Sequence, residues 1–102
     1  MGTNKRYPEA GAKRREEREL EELMASCKPL TLTDDELELR RQPVTRTPMP
    51  ESVTAWVRYG DRAVQVRAKA VAWTPRAMAL TWESPAGVEQ RAWVWASAVE
   101  RV

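Results

Sequence analysis

The residues best suited to chemistry in this 102-residue chain are its five tryptophans and the arginines interleaved with them. Trp56 is followed by Arg58, and Arg91 precedes Trp93 and Trp95. Tryptophan and arginine dominate binding hot spots because they offer a large rigid apolar area and a forked, always-charged donor set. Stacked aromatics beside bases are also how small barrels grip single-stranded nucleic acid. Covalent and metal chemistry have far less to work with. The chain has no His and one Cys, Cys27, so the usual general base and the commonest metal ligand are both missing and a zinc site has no donor set. No Gly-rich phosphate loop and no GxSxG elbow is present. Asp34, Asp35, Glu36 and Glu38 cluster, but helix capping accounts for them. Cys27 lacks a base to activate it and is expected to be a small residue on an apolar stripe. An enzyme is not expected, nor any cofactor or metal.

Charge is balanced overall and uneven along the chain. Lys and Arg number 17 against 15 Asp and Glu, a net charge of +2 that does not by itself imply nucleic acid. Residues 1–18 carry +3, residues 19–38 carry −6 and residues 53–102 carry +3. The basic start, with Lys5, Arg6, Lys13, Arg14, Arg15 and Arg18, is a candidate nucleic-acid arm, although Glu9, Glu16 and Glu17 dilute its field and a solvated extension has the same composition. No apolar run is long enough for a membrane span, and no apolar h-region follows the N-terminus. With a single thiol no internal disulfide can form. A cytoplasmic location is therefore expected.

These residues must be positioned by elements that change character near residue 52. Segment 9–27 is rich in strong helix formers, with Leu20, Leu23, Met24 and Cys27 spaced for one face of a helix. Thr33-Asp34-Asp35-Glu36 is a capping box opening a second helix, with Leu30, Leu37 and Leu39 on its buried side and Arg40 and Arg41 in its last turn. Pro43 to Pro50 is expected to be an extended, polyproline-like linker. From Val53 the period is two. Val53, Ala55, Val57 and Tyr59 alternate with polar residues and Trp56. Val64 to Ala72 alternate likewise in a strand long enough to bend. Met78, Leu80 and Trp82 share one side of a third strand, and Ala92 and Val94 alternate with Arg91, Trp93 and Trp95. Gly60-Asp61, Thr74-Pro75 and Ser84-Pro85-Ala86-Gly87 mark turns. Ala96 to Val99 favours a single tight helical turn before a last strand at Glu100-Arg101-Val102. The expected class is α+β: a two-helix arm over 1–42, a Pro-rich linker over 43–52, and a five-stranded small barrel over 53–102.

The run Arg91-Ala92-Trp93-Val94-Trp95-Ala96-Ser97-Ala98-Val99 resembles the end of an SH3-like barrel, in which a strand, a 3₁₀ turn and a final Val follow in that order. The resemblance covers about half the chain. It implies Val94, Ala96 and Val99 in the core, with Trp93, Trp95 and Ala98 at the outer groove. Peptide-binding SH3 domains carry tyrosine at the place of Ala98 and proline at that of Trp95, together with an acidic specificity loop that this chain lacks, so binding of proline peptides is not implied. The chain also resembles small uncharacterised proteins of GC-rich actinobacteria and their mobile elements through Ala55-Trp56-Val57-Arg58-Tyr59-Gly60 and Arg91 to Val99, in keeping with 13 Arg against 4 Lys. That group implies no activity.

Trp56, Trp93 and Trp95 fall on the parity opposite to the small apolar residues of their own strands. Either the N-terminal helices fold over these rings and bury them against Leu20, Leu23, Met24, Leu30 and Leu37, or some rings stay exposed beside Arg58, Arg67 and Arg91 as a recognition face. The function expected first is a non-enzymatic adaptor binding a protein partner through Trp56, Arg58, Arg91, Trp93 and Trp95. The alternatives are nucleic-acid binding by the same surface or by the basic arm, and a small structural subunit of a phage or mobile-element assembly.

Overall fold

The computed structural model describes residues 6–102, with side chains for residue 15 and residues 17–102. Two helices, α1 (Arg6–Ser26) and α2 (Asp34–Leu37), precede five strands, β1 (Thr45–Tyr59), β2 (Arg62–Trp73), β3 (Ala77–Glu83), β4 (Glu89–Trp95) and β5 (Val99–Arg101). The strands form one antiparallel sheet in the order β4-β3-β2-β1-β5. The α+β class and the five strands read from the sequence are therefore present. The strand ladder itself does not close.

Alternation decides which side chains the sheet buries, because successive residues of a strand point to opposite faces. Val53, Ala55, Val57 and Tyr59 of β1 are buried, as are Val64, Ala68, Ala70 and Ala72 of β2, Leu80 and Trp82 of β3, and Ala92 and Val94 of β4. The tight turns fall where expected. Gly60 has φ 63°, a left-handed value that glycine adopts without steric cost, in the two-residue connection between paired Tyr59 and Arg62. At the next turn the Thr74 hydroxyl accepts hydrogen bonds from the N–H groups of Arg76 (3.2 Å) and Ala77 (3.0 Å). The bend in β2 is a register shift between Ala70 and Ala72 that leaves Val71 unpaired. A 3₁₀ turn at Ala96–Ala98 leads into β5.

Three expectations are corrected. The segment read as a linker is extended, but from Thr45 it is the first half of β1, pairing Thr45 with Trp73 and Arg46 with Ala72 before an irregularity up to Glu51. The second helix is one turn long. Its capping box is formed, with Thr33 Oγ1 accepting from Glu36 N–H at 3.1 Å and Thr33 N–H donating to Glu36 Oε1 at 3.0 Å, but Glu38 turns left-handed (φ 50°) and ends it. Arg40 and Arg41 thus lie beyond the helix, and of its expected apolar side only Leu37 is buried, with Leu30 and Leu39 exposed. Cys27 is likewise exposed, so the apolar stripe of α1 ends at Met24.

Because α2 is so short, its cap carries most of its local stability. Replacing Thr33 with alanine is expected to cost about 1 kcal/mol, read as a lower urea midpoint with an unchanged slope.

α1 is amphipathic over its described side chains. Met24 belongs to the main core cluster, and Leu20 and Leu23 pack against it. Leu20 and Met24 border a groove with Val64 and Val66 of β2 and with Pro85 of the β3–β4 turn. Glu19 pairs with Arg62 at 3.6 Å, an exposed ion pair that adds little. No described helix is long and apolar enough to cross a membrane.

Candidate functional site

The chain between the helices is a strap that touches both a middle strand and an edge strand of the sheet. Leu30 N–H donates to the Arg58 carbonyl at 2.7 Å, Leu32 N–H donates to the Trp93 carbonyl at 3.0 Å, and Trp93 N–H donates to Thr31 Oγ1 at 2.8 Å. β5 pairs with β1 only at Val53–Ala55, so the strap meets the remainder of that edge and the outer edge of β4 at once. Backbone groups there that would otherwise need water are satisfied.

This arrangement brings Trp56 and Arg58 of β1 beside Trp93 and Trp95 of β4. They line a hollow of about 580 Å³, walled by Leu30 and Leu32 of the strap and floored by Val57, Val94 and Ala98. The exposures decide between the two arrangements open to these rings. Trp56 is 53% exposed, Trp95 42% and Leu30 54%, while Trp93 is half-buried under the strap. The helices therefore do not cover Trp56 and Trp95: Leu20, Leu23 and Met24 are spent on the core, and Leu37 is buried outside the core cluster. Of the five apolar residues expected to cover the rings, Leu30 alone lines their hollow, where it forms a wall with Leu32. Trp82, in phase with Leu80, is buried, and Trp73 is half-buried.

Of the five residues read as a partner-binding face, four meet in this hollow. Arg91 is elsewhere. It lines a second hollow of about 460 Å³ with Arg46, Thr31, Thr81 and Trp93, and it pairs with Glu89 at 3.4 Å. Arg67, also expected beside the rings, opens instead onto a third hollow with Lys69, Glu83 and Glu89. Sequence reading missed the contribution of the strap and that of Arg46. The strap residues Leu30, Thr31 and Leu32 carry no period of their own that links them to Trp93. Arg46 sits in a segment whose prolines read as linker.

The candidate nucleic-acid arm is only partly visible. Lys5 lies outside the described residues. The backbones of Arg6, Lys13 and Arg14 belong to α1 and their side chains lie outside the described residues, while Arg15 and Arg18 are exposed on that helix. Among the described residues no three His, Cys, Asp or Glu side chains converge as metal ligands would.

One polar chain crosses the core. Trp82 Nε1–H donates to Tyr59 Oη at 3.1 Å, and the Tyr59 hydroxyl donates to Gln90 Oε1 at 3.3 Å. Burial pushes the Tyr59 pKa above its ordinary value, partly opposed by the Trp82 hydrogen bond. Among the described residues no buried side-chain nitrogen or oxygen lacks a partner.

Compared with protein-family models, curated proteins and solved structures, the chain matches none.

Proposed function

We propose that this protein is a non-enzymatic adaptor, an SH3-like small barrel that binds a partner protein through Trp56, Arg58, Trp93 and Trp95. The barrel reading is supported by the meander with a 3₁₀ turn before its last strand and by the strap that hydrogen-bonds to both β1 and β4. The observation that carries the function is two large indoles left more than two-fifths exposed around one hollow, with an exposed leucine beside them. Single exposed apolar residues are ordinary on a soluble protein, but a contiguous group lining a concavity marks an interaction site.

The test is a tagged pull-down from native cells, with and without nuclease, followed by binding measurements on the captured partner. Trp56→Ala and Trp95→Ala are each expected to weaken binding by about 2 kcal/mol, as hot-spot truncations do. Both rings are exposed, so thermal midpoints should stay close to that of the parent protein. Unchanged binding by folded variants overturns the proposal, and capture that is lost on nuclease treatment transfers the surface to nucleic acid.

A further inference from the structure

Trp93 stands between two hollows. On one side it shares the apolar hollow with Trp56 and Trp95, and on the other it shares the hollow flanked by Arg46 and Arg91. Alternation along β4 puts Arg91, Trp93 and Trp95 on one face, so each step between them is about 7 Å and the whole row about 13 Å. The edge of β4 cannot take an added strand at this point, because both the N–H and the carbonyl of Trp93 already bond to the strap. Whatever lies along this row is read through its side chains.

The charges select the kind of chain. Arg46 and Arg58 make no ion pair among the described residues, and the Arg91–Glu89 pair is solvent-exposed on both sides (75% and 59%), so exchange of Glu89 for a ligand carboxylate costs little. Glu36 in the first hollow and Glu89 in the second interrupt the positive track that a polyphosphate backbone needs. One carboxylate at the Arg46/Arg91 end is matched, and a run of phosphates is not.

We infer that the adaptor surface proposed above takes an extended acidic-apolar peptide. An apolar side chain fills the Trp56/Trp95 hollow, and an Asp or Glu about two to four residues along the chain, at roughly 3.3 Å per residue, meets Arg46 and Arg91. The inference rests on that adaptor reading and adds to it the chemistry of the partner.

The experiment is selection of a displayed random peptide library on the full-length protein, followed by anisotropy titrations of three labelled probes. These are the best selected peptide, its carboxylate-to-amide counterpart, and an oligothymidylate. Selected peptides should carry an apolar residue followed at that spacing by an acid. Arg46→Gln and Arg91→Gln should each weaken the selected peptide about fivefold, the size of one exposed charge pair, and should leave the amide counterpart unmoved. The double variant Arg46→Glu/Arg91→Glu should instead select Lys or Arg at the acidic position. Peptides that lose binding with Trp95→Ala but carry no acid, or ignore both arginine variants, overturn this inference and leave the recognition surface standing. A library that yields no binder overturns both. Oligothymidylate binding that falls with the arginine variants overturns the peptide in favour of a single strand.

Discussion

Replacing Trp82 with alanine is expected to cost about 3–5 kcal/mol, the range for removing a large aromatic from a packed core. Trp82 is only 5% exposed, and its ring belongs to the cluster that contains Val53, Val57, Tyr59 and Leu80. A domain of this size is stabilised by about 5–15 kcal/mol in total, so the variant should be substantially unfolded at moderate urea concentration. Part of the loss is polar. Trp82 Nε1–H and the Tyr59 hydroxyl are a donor and an acceptor in a buried chain that ends on Gln90, the residue paired with Trp82 across β3 and β4. Tyr59→Phe keeps the ring and removes the acceptor, stranding the indole N–H at a cost of about 1–3 kcal/mol. Trp82→Phe/Tyr59→Phe removes both polar partners, so the double variant should be less destabilised than the single Trp82→Phe and Tyr59→Phe losses add up to. Urea titrations followed by circular dichroism measure all four variants. A Trp82→Ala midpoint close to that of the parent protein would show that the β1–β3 core does not rest on this ring.

That Trp82 points inward while Trp56, Trp93 and Trp95 point outward was legible in the sequence, and for one reason, whereas whether the helices cover the outward rings was left open. A strand allows two orientations only, so a tryptophan in phase with Leu80 goes inward while one in phase with Arg58 or Arg91 goes outward. The same rule located β2, β3, β4 and the second half of β1, with Val53, Ala55, Val57 and Tyr59 buried, but not the first half of β1, whose prolines read as linker. What it did not convey was anything that depends on how elements without alternation meet the sheet. The extent of α2 was misjudged because Arg40 and Arg41 suit the end of a helix, whereas Glu38 adopts a left-handed conformation one turn after the cap and the chain turns away. The position of Leu30 was misjudged because apolarity alone says that a residue tends to be buried. It does not say that backbone bonds to Arg58 will hold that residue at the rim of a hollow. Arg91 was grouped with the tryptophans by sequence proximity, yet two residues along a strand is about 7 Å, enough to place it beyond Trp93 in a different concavity.

The exposed and buried tryptophans divide the labour in a small protein. About fifty residues of sheet bury little apolar surface relative to the entropy of ordering them. Leaving Trp56 and Trp95 partly in water gives up burial that the protein has available in α1, whose apolar positions are directed to the core instead. Retention of such residues at the surface, while a helix sits over the neighbouring core, is what the adaptor proposal accounts for. The strap between α1 and α2 then has two roles, covering part of the edges of β1 and β4 and forming the wall of the hollow.

That arrangement makes α1 part of the sheet's stability, and Met24→Asp tests it. Met24 is 8% exposed within the core cluster, with Leu20 and Leu23 packed beside it. A carboxylate placed there either stays charged without a partner or takes up a proton, and in each case the cost is expected to be about 3 kcal/mol or more. The volume-conserving Met24→Leu should cost less than about 1.5 kcal/mol and controls for packing. If α1 docks as a structural layer, Met24→Asp lowers the urea midpoint of the whole domain, and amide exchange accelerates in β1 and β2 as well as in the helix. If α1 is only an appendage, exchange accelerates in the helix alone and the midpoint stays where it was. Leu30 and Thr31 follow α1 by only a few residues, so a released helix also frees one end of the strap. The Trp93 N–H to Thr31 bond should then exchange faster and partner affinity should fall, although Met24 itself lies outside the hollow. Parent-level affinity in a folded Met24→Asp protein would show that the strap holds its place through its own three hydrogen bonds.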